Sequence, residues 1–98
     1  MTTRKLTFHA DPSHGWLEVP DTDIYALGII PSIYSYVHGD SVYLEEDCDA
    51  TLYLEAARAK GWTVNITEKY TNNDSAIRTY KPLTAGMFSK MLFYGDKA

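Results

Sequence analysis

The sequence of 98 residues has only one cysteine, Cys48, which excludes an internal disulfide bond. A single thiol suits a reducing compartment, so we expect a cytoplasmic protein. No apolar run approaches the roughly 20 residues of a membrane span, and the N-terminus is too polar for a secretory signal. A chain of this length, with 45% apolar residues, suits one folded domain over residues 1–98 without a large internal cavity.

Basic side chains are missing from residues 11–57, which contain ten acids and no lysine or arginine. From Arg58 onward the balance reverses to seven basic residues against three acids, and the net charge is −4. Phosphate contact needs cations, so we expect no direct nucleic-acid binding by the first half. Two interpretations remain open: the halves neutralise each other across one sheet, or the acidic half faces a host or cellular protein with a basic surface.

Several motifs that carry enzyme chemistry are also missing. There is no Gly-rich phosphate loop, no His-Glu-x-x-His, no serine nucleophile elbow and no paired Cys-x-x-Cys. We therefore expect no cofactor, and a binding protein is favoured over an enzyme.

The hydrophobic pattern predicts a single α+β domain in the order ββαββαββ. This is a mainly antiparallel sheet with two helices on one face and a C-terminal helical tail. The predicted strands are 5–10, 15–20, 33–37, 41–46, 63–70 and 76–81; the predicted helices are 21–27 and 47–62, and the tail is 82–98. Tight turns at 11–15, 38–40 and 71–75 would join consecutive strands as hairpins.

Tyrosine is the most frequent aromatic residue, with eight copies against three phenylalanines and two tryptophans. Alternation predicts an aliphatic side of the sheet and a tyrosine-rich side next to a run of acids. Tyrosines are enriched at interface hot spots, so we predict a partner-binding surface. Its residues are Tyr34, Tyr36, Tyr43, Glu45, Glu46, Asp47 and Asp49. The alternatives are cross-strand packing of these rings under a helix or the tail, or a homodimer through this face or through residues 87–94.

A second pattern, His-Ala-Asp-Pro-Ser-His at residues 9–14, has two interpretations. The first is a hairpin turn in which Pro12 and Asp11 have their usual turn roles. The second is a metal-binding or metal-dependent catalytic site formed by His9, Asp11 and His14, with Cys48, Asp47 or Asp49 as a further ligand. The turn is the favoured interpretation.

Two segments also carry a resemblance: HADPSHGWL at 9–17, and YLEEDCDA at 43–50. With these the chain resembles a family of short uncharacterised proteins of bacteria and their phages and plasmids, over about residues 6–80. The resemblance implies a cytoplasmic accessory protein from a mobile element. It implies no established activity. Our leading hypothesis is a non-enzymatic binding protein, such as a phage-type inhibitor or modulator of a host machine.

Overall fold

The computed structural model describes residues 2–32 and 34–83. These residues form a mixed six-stranded sheet with two α-helices, so the predicted α+β class is confirmed. In chain order the elements are β1 (Thr3–Ala10), β2 (Gly15–Pro20), α1 (Asp21–Ala26), β3 (Tyr36–His38), β4 (Ser41–Glu45), α2 (Asp49–Ala59), β5 (Thr63–Tyr70), a 3-10 turn (Ala76–Thr79) and β6 (Lys81–Pro82). The strand order across the sheet is β5-β1-β2-β4-β3-β6.

Both of the first two predicted hairpins form. β1 pairs antiparallel with β2, and β3 pairs antiparallel with β4 across the turn at Gly39 and Asp40. The first turn closes with a backbone hydrogen bond of 2.9 Å from the Asp11 N–H to the His14 carbonyl. A Cβ at residue 15 would lie 2.3 Å from Cζ of Phe8, so any other residue there would require the Phe8 ring to move.

Both helices pack on one face of the sheet, as predicted. The buried cluster on this face joins Leu17 and Leu44 from the strands to Ile24 of α1 and to Tyr53 and Ala57 of α2. All five side chains are fully buried. Each large apolar side chain buried here stabilises the fold by about 1.5–3 kcal/mol.

One buried carboxylate, that of Asp23, links three elements of this core. Asp23 of α1 accepts hydrogen bonds from Nε and Nη2 of Arg4 at 2.9 and 3.0 Å, and from the Tyr53 hydroxyl at 2.7 Å. Burial, and then the bond to Asp23, raise the pKa of Tyr53. The contact ties β1, α1 and α2 together, and it neutralises one acid of the acidic half.

The predicted pairing of the last two strands was wrong. β5 forms over the predicted residues, but it pairs parallel with β1 rather than antiparallel with residues 76–81, so the sheet is mixed. Residues 76–79 form the 3-10 turn instead, because the Ser75 side chain caps it and Ile77 is buried. The short β6 then pairs with β3 and forms the edge of the sheet opposite β5.

The predicted helix 47–62 is shorter in the structure. α2 begins at Asp49, and neither Asp47 nor Asp49 caps it through its side chain. Its end has the expected reversal, with Gly61 at φ +79° and a hydrogen bond of 2.9 Å from the Trp62 N–H to the Ala57 carbonyl. Residues 84–98, which hold nearly all of the predicted helical tail, lie outside the described residues.

Candidate functional site

A cleft of about 360 Å³ opens on the sheet face opposite the two helices. Strands β2, β3 and β4, the turn before β2, the loops before β3 and after β4, and the 3-10 turn all contribute lining residues. These are His14, Trp16, Tyr34, Tyr36, Glu45, Asp47, Cys48 and Arg78. Four of the seven predicted partner-binding residues are among them, namely Tyr34, Tyr36, Glu45 and Asp47. The structure thus brings tyrosines and acids together in one concave surface.

Strand register fixes the aromatic wall of the cleft. Trp16 of β2 lies directly opposite Glu45 of β4, and Tyr36 of β3 lies opposite Tyr43. The rings of Trp16 and Tyr36 meet edge to face, with centroids 6.3 Å apart and an interplanar angle of 70°. Two aromatic rings at nearly a right angle therefore form a corner in the cleft.

Tyr34 lies in the loop before β3, not in a strand as predicted, and its side chain is 67% exposed. The Tyr34 N–H donates to the Ser32 hydroxyl at 3.2 Å. Ser32 in turn donates from its N–H and its hydroxyl to one carboxylate oxygen of Asp49, at 2.9 and 2.8 Å, and the Ser35 hydroxyl donates to the same oxygen. The loop that carries Tyr34 is thereby fixed to the start of α2.

Asp49 was predicted to contact a partner at the surface, but the structure corrects this because the residue is buried. The residue is 3% exposed, and its carboxylate accepts hydrogen bonds from Ser32 and Ser35. Burial of a carboxylate requires such donors, and Ser32 and Ser35 supply them. Asp49 therefore holds the loop that carries Tyr34 in place and is not exposed for contact with a partner.

Tyr43 needs the same correction, because it is only 7% exposed. It belongs to a second buried cluster with Trp16 and Ile77, and the Tyr80 ring packs on it at 5.1 Å between centroids. Burial, and then the nearby charge of Glu18, raise the pKa of Tyr43 to about 12. For this tyrosine the alternative of cross-strand packing is the one that the structure supports.

The three consecutive acids Glu45, Glu46 and Asp47 keep their charge available. Within residues 2–32 and 34–83, none of them forms an ion pair. The Glu45 carboxylate accepts the Cys48 N–H at 3.1 Å, which is a bond to a neutral donor. By contrast, Asp11 and Asp23 are paired with arginines. The two halves of the chain thus neutralise each other in the fold only in part.

Among the described residues, the predicted metal ligands His9, Asp11 and His14 do not come together in a group that could hold a metal ion. Both Asp11 oxygens are occupied, by Nε and Nη2 of Arg78 at 2.7 and 2.9 Å and by the N–H groups of Ser13, His14 and Ser75. The Arg78 bond holds the pKa of Asp11 well below its usual range. His9 instead pairs with Glu18, at 2.8 Å between Nε2 and Oε1.

The part of the chain that the structure describes contains no group of three or more His, Cys, Asp or Glu side chains able to hold a metal ion. His14 lines the cleft beside Trp16, with ring centroids 6.0 Å apart. The stretch that includes these histidines is therefore a structural turn with Asp11 at its centre.

Two lining residues, Trp16 and Arg78, were not predicted from the sequence. A signal for Trp16 was present, because alternation in residues 15–20 places it on the face away from Leu17 and Val19. Arg78 had no such signal, since it reaches the cleft only through the 3-10 turn that replaces the predicted strand.

Comparison of the sequence with protein-family models and curated proteins, and of the fold with solved structures, found no match. Among the described residues, no helix has the length and apolar character to cross a membrane. The resemblance to short bacterial and phage proteins stays a prediction.

Proposed function

We propose that this chain is a non-enzymatic accessory protein that binds a basic segment of another protein through the aromatic and acidic cleft. The observation that carries the proposal is the joint lining of one open cleft by Tyr34, Tyr36, Glu45 and Asp47. In line with the sequence resemblance, we propose a cytoplasmic host protein as the partner, which this chain inhibits or modulates.

Charge supports a basic partner. Glu45 and Asp47 line the cleft without an ion-pair partner among the described residues, and Glu46 lies between them in the chain. The lining arginine, Arg78, is held by Asp11. A negative field of this kind attracts basic surfaces, raises their association rate and repels phosphate backbones. The proposed partner surface is thus one rich in lysine and arginine.

Exposed rings support a protein rather than a free metal ion as the ligand. Tyr34 offers most of its ring to solvent, and Tyr36 is half-buried. Tyrosine provides a large contact area at a low cost in side-chain entropy, and contacts with basic side chains add a cation–π component. The cleft therefore combines apolar area with charge, as interface hot spots do.

The test measures binding of a fluorescein-labelled peptide that alternates lysine and arginine with serine. Fluorescence anisotropy would be recorded at low and at physiological salt. In the first variant the three consecutive acids Glu45, Glu46 and Asp47, of which Glu45 and Asp47 line the cleft, are all changed to Lys. Each reversed contact weakens binding by several tenths of a kcal/mol or more, so we expect a loss of affinity of at least about tenfold.

The matched control reverses three exposed acids away from the cleft, Asp40, Glu55 and Glu68, and so changes the net charge equally. We expect its affinity to stay within about twofold of wild type once the salt is physiological, since distant charges are then screened. Equal losses in the two variants, or no loss in either, would overturn the proposal.

A further inference from the structure

We infer that the cleft binds the guanidinium group of a single arginine side chain of the partner. This inference rests on the proposed function and specifies the ligand within it. It is drawn from how the protein holds its own arginines and from the shape of the cleft.

Twice in the described fold a guanidinium is held by an aromatic ring together with a carboxylate. The Arg4 guanidinium lies 4.6 Å from the centre of the Trp62 ring and donates two hydrogen bonds to Asp23. The Arg78 guanidinium lies 5.5 Å from the centre of the Trp16 ring and donates two hydrogen bonds to Asp11. The ring contacts the face of this planar cation, and the carboxylate accepts hydrogen bonds from the N–H groups along its edge.

Other lining residues of the cleft repeat this combination without a cation of their own, since the lining Arg78 is already paired with Asp11. Tyr34 and Tyr36 supply rings, and Glu45 and Asp47 supply carboxylates. No lysine or arginine of residues 2–32 and 34–83 pairs with either carboxylate. The guanidinium of a partner's arginine could therefore contact these rings and carboxylates in the same way as Arg4 and Arg78 contact theirs.

Shape favours arginine over lysine or a methylated ammonium. The cleft is open, and the edge-to-face contact of Trp16 with Tyr36 forms a corner rather than a closed cage. A flat guanidinium can stack on one ring and direct its N–H fork at a carboxylate, whereas a spherical ammonium gains most from an enclosing cage. We therefore expect arginine to bind more tightly than lysine at this site.

The experiment is an NMR titration of the isotope-labelled full chain with acetyl-Gly-Arg-Gly-amide. The same peptide with citrulline, the uncharged isostere of arginine, and with lysine serve as comparisons. We expect saturable shifts at the Tyr34 and Tyr36 amides, at residues 45–48 and at the Trp16 indole. Citrulline should bind at least about fivefold more weakly, as expected for the loss of one cation–π contact and its charge.

Two leucine variants locate the site. Tyr34→Leu removes an exposed ring, so the fold should persist, and we expect arginine binding to fall about threefold to fivefold. Tyr70→Leu removes an exposed ring on β5 at the far edge of the sheet, and arginine binding should be unchanged.

The outcomes separate this inference from the proposed function. Equal affinity for arginine and citrulline, no shift at the cleft, or tighter binding of lysine would overturn the inference. If the longer basic peptide still depended on Glu45, Glu46 and Asp47, the proposed function would survive that result. Loss of both effects would remove both proposals.

Discussion

Asp49 provides the sharpest test of how the cleft is built, because the structure assigns it to the interior. One oxygen of its carboxylate, Oδ2, accepts three hydrogen bonds, from the Ser32 N–H, the Ser32 hydroxyl and the Ser35 hydroxyl. A hydrogen bond to a charged group contributes about 1.5–3 kcal/mol, and bonds that share one acceptor do not add fully. We therefore expect Asp49→Ala to lower the free energy of unfolding by about 3–5 kcal/mol.

This loss is large for a domain of 98 residues, whose total stability is about 5–15 kcal/mol. Asp49→Asn keeps an oxygen acceptor of the same shape and removes only the charge, so we expect a smaller loss of about 1–2 kcal/mol. Urea unfolding, followed by tryptophan fluorescence, measures both. The thermal midpoint should fall by about 4–8 °C for each kcal/mol.

Asp47→Asn is the matched control, since it is two residues away and exposed. We expect it to change stability by less than about 0.5 kcal/mol. The assignment of Asp49 to the interior would be refuted by a loss below about 1 kcal/mol for Asp49→Ala. Equal effects of the two asparagine variants would refute it as well.

Three further predictions concern other polar contacts. Arg4→Met leaves the buried Asp23 with the Tyr53 hydroxyl; because Arg4 is 33% exposed, urea unfolding should show a loss of about 2–3 kcal/mol, and none would contradict the pairing. Arg78→Met frees the turn that Asp11 anchors, so hydrogen exchange at the Ser75 amide should accelerate, whereas Lys81→Met should leave it unchanged. Tyr43 keeps its proton in the folded state up to about pH 12, while an unfolded tyrosine loses it near pH 10. The contribution of protonated Tyr43 to the free energy of unfolding is therefore fully present below pH 10 and falls, by on the order of 2 kcal/mol, as the pH rises to 12. Over this window the free energy of unfolding of Tyr43→Phe should fall less than that of the wild type. An identical dependence on pH in the two proteins would contradict the assignment.

Alternation of side chains was enough to predict the two faces of the sheet. Leu17 and Leu44 are buried under the helices, while Trp16 and Tyr43 lie on the opposite face. This succeeds because a period of two is a local property that each strand carries by itself. The first two hairpins follow for the same reason, since their turns are short and their partners adjacent.

Partner choice for the last strands was not predictable from local pattern. The turn-like residues 71–75 suggested a hairpin, but contacts of Asp11 with Ser75 and Arg78, 64 and 67 residues away in the chain, hold this segment elsewhere. No local signal announces a contact over that separation. The parallel pairing of β5 with β1 is of the same kind.

The candidate site was predicted in part for a related reason. Composition drew attention to the tyrosines and acids, yet it could not separate Tyr34 and Asp47, which line the cleft, from Tyr43 and Asp49, which are buried. Burial of Asp49 depends on serines 14 and 17 residues before it. Burial of Tyr43 depends on Ile77 and Tyr80, which reach it only through the 3-10 turn.

The most direct test of the central claim uses Cys48, the sole cysteine, which is exposed and lines the cleft. Its rate of alkylation by iodoacetamide would be measured with and without a saturating amount of the lysine–arginine–serine peptide. If a basic segment occupies the cleft, the peptide should slow alkylation severalfold in the wild-type chain. The chain with Glu45, Glu46 and Asp47 changed to Lys should show no such slowing at the same peptide concentration. An unchanged rate in the wild-type chain, measured while anisotropy shows the peptide bound, would contradict the account.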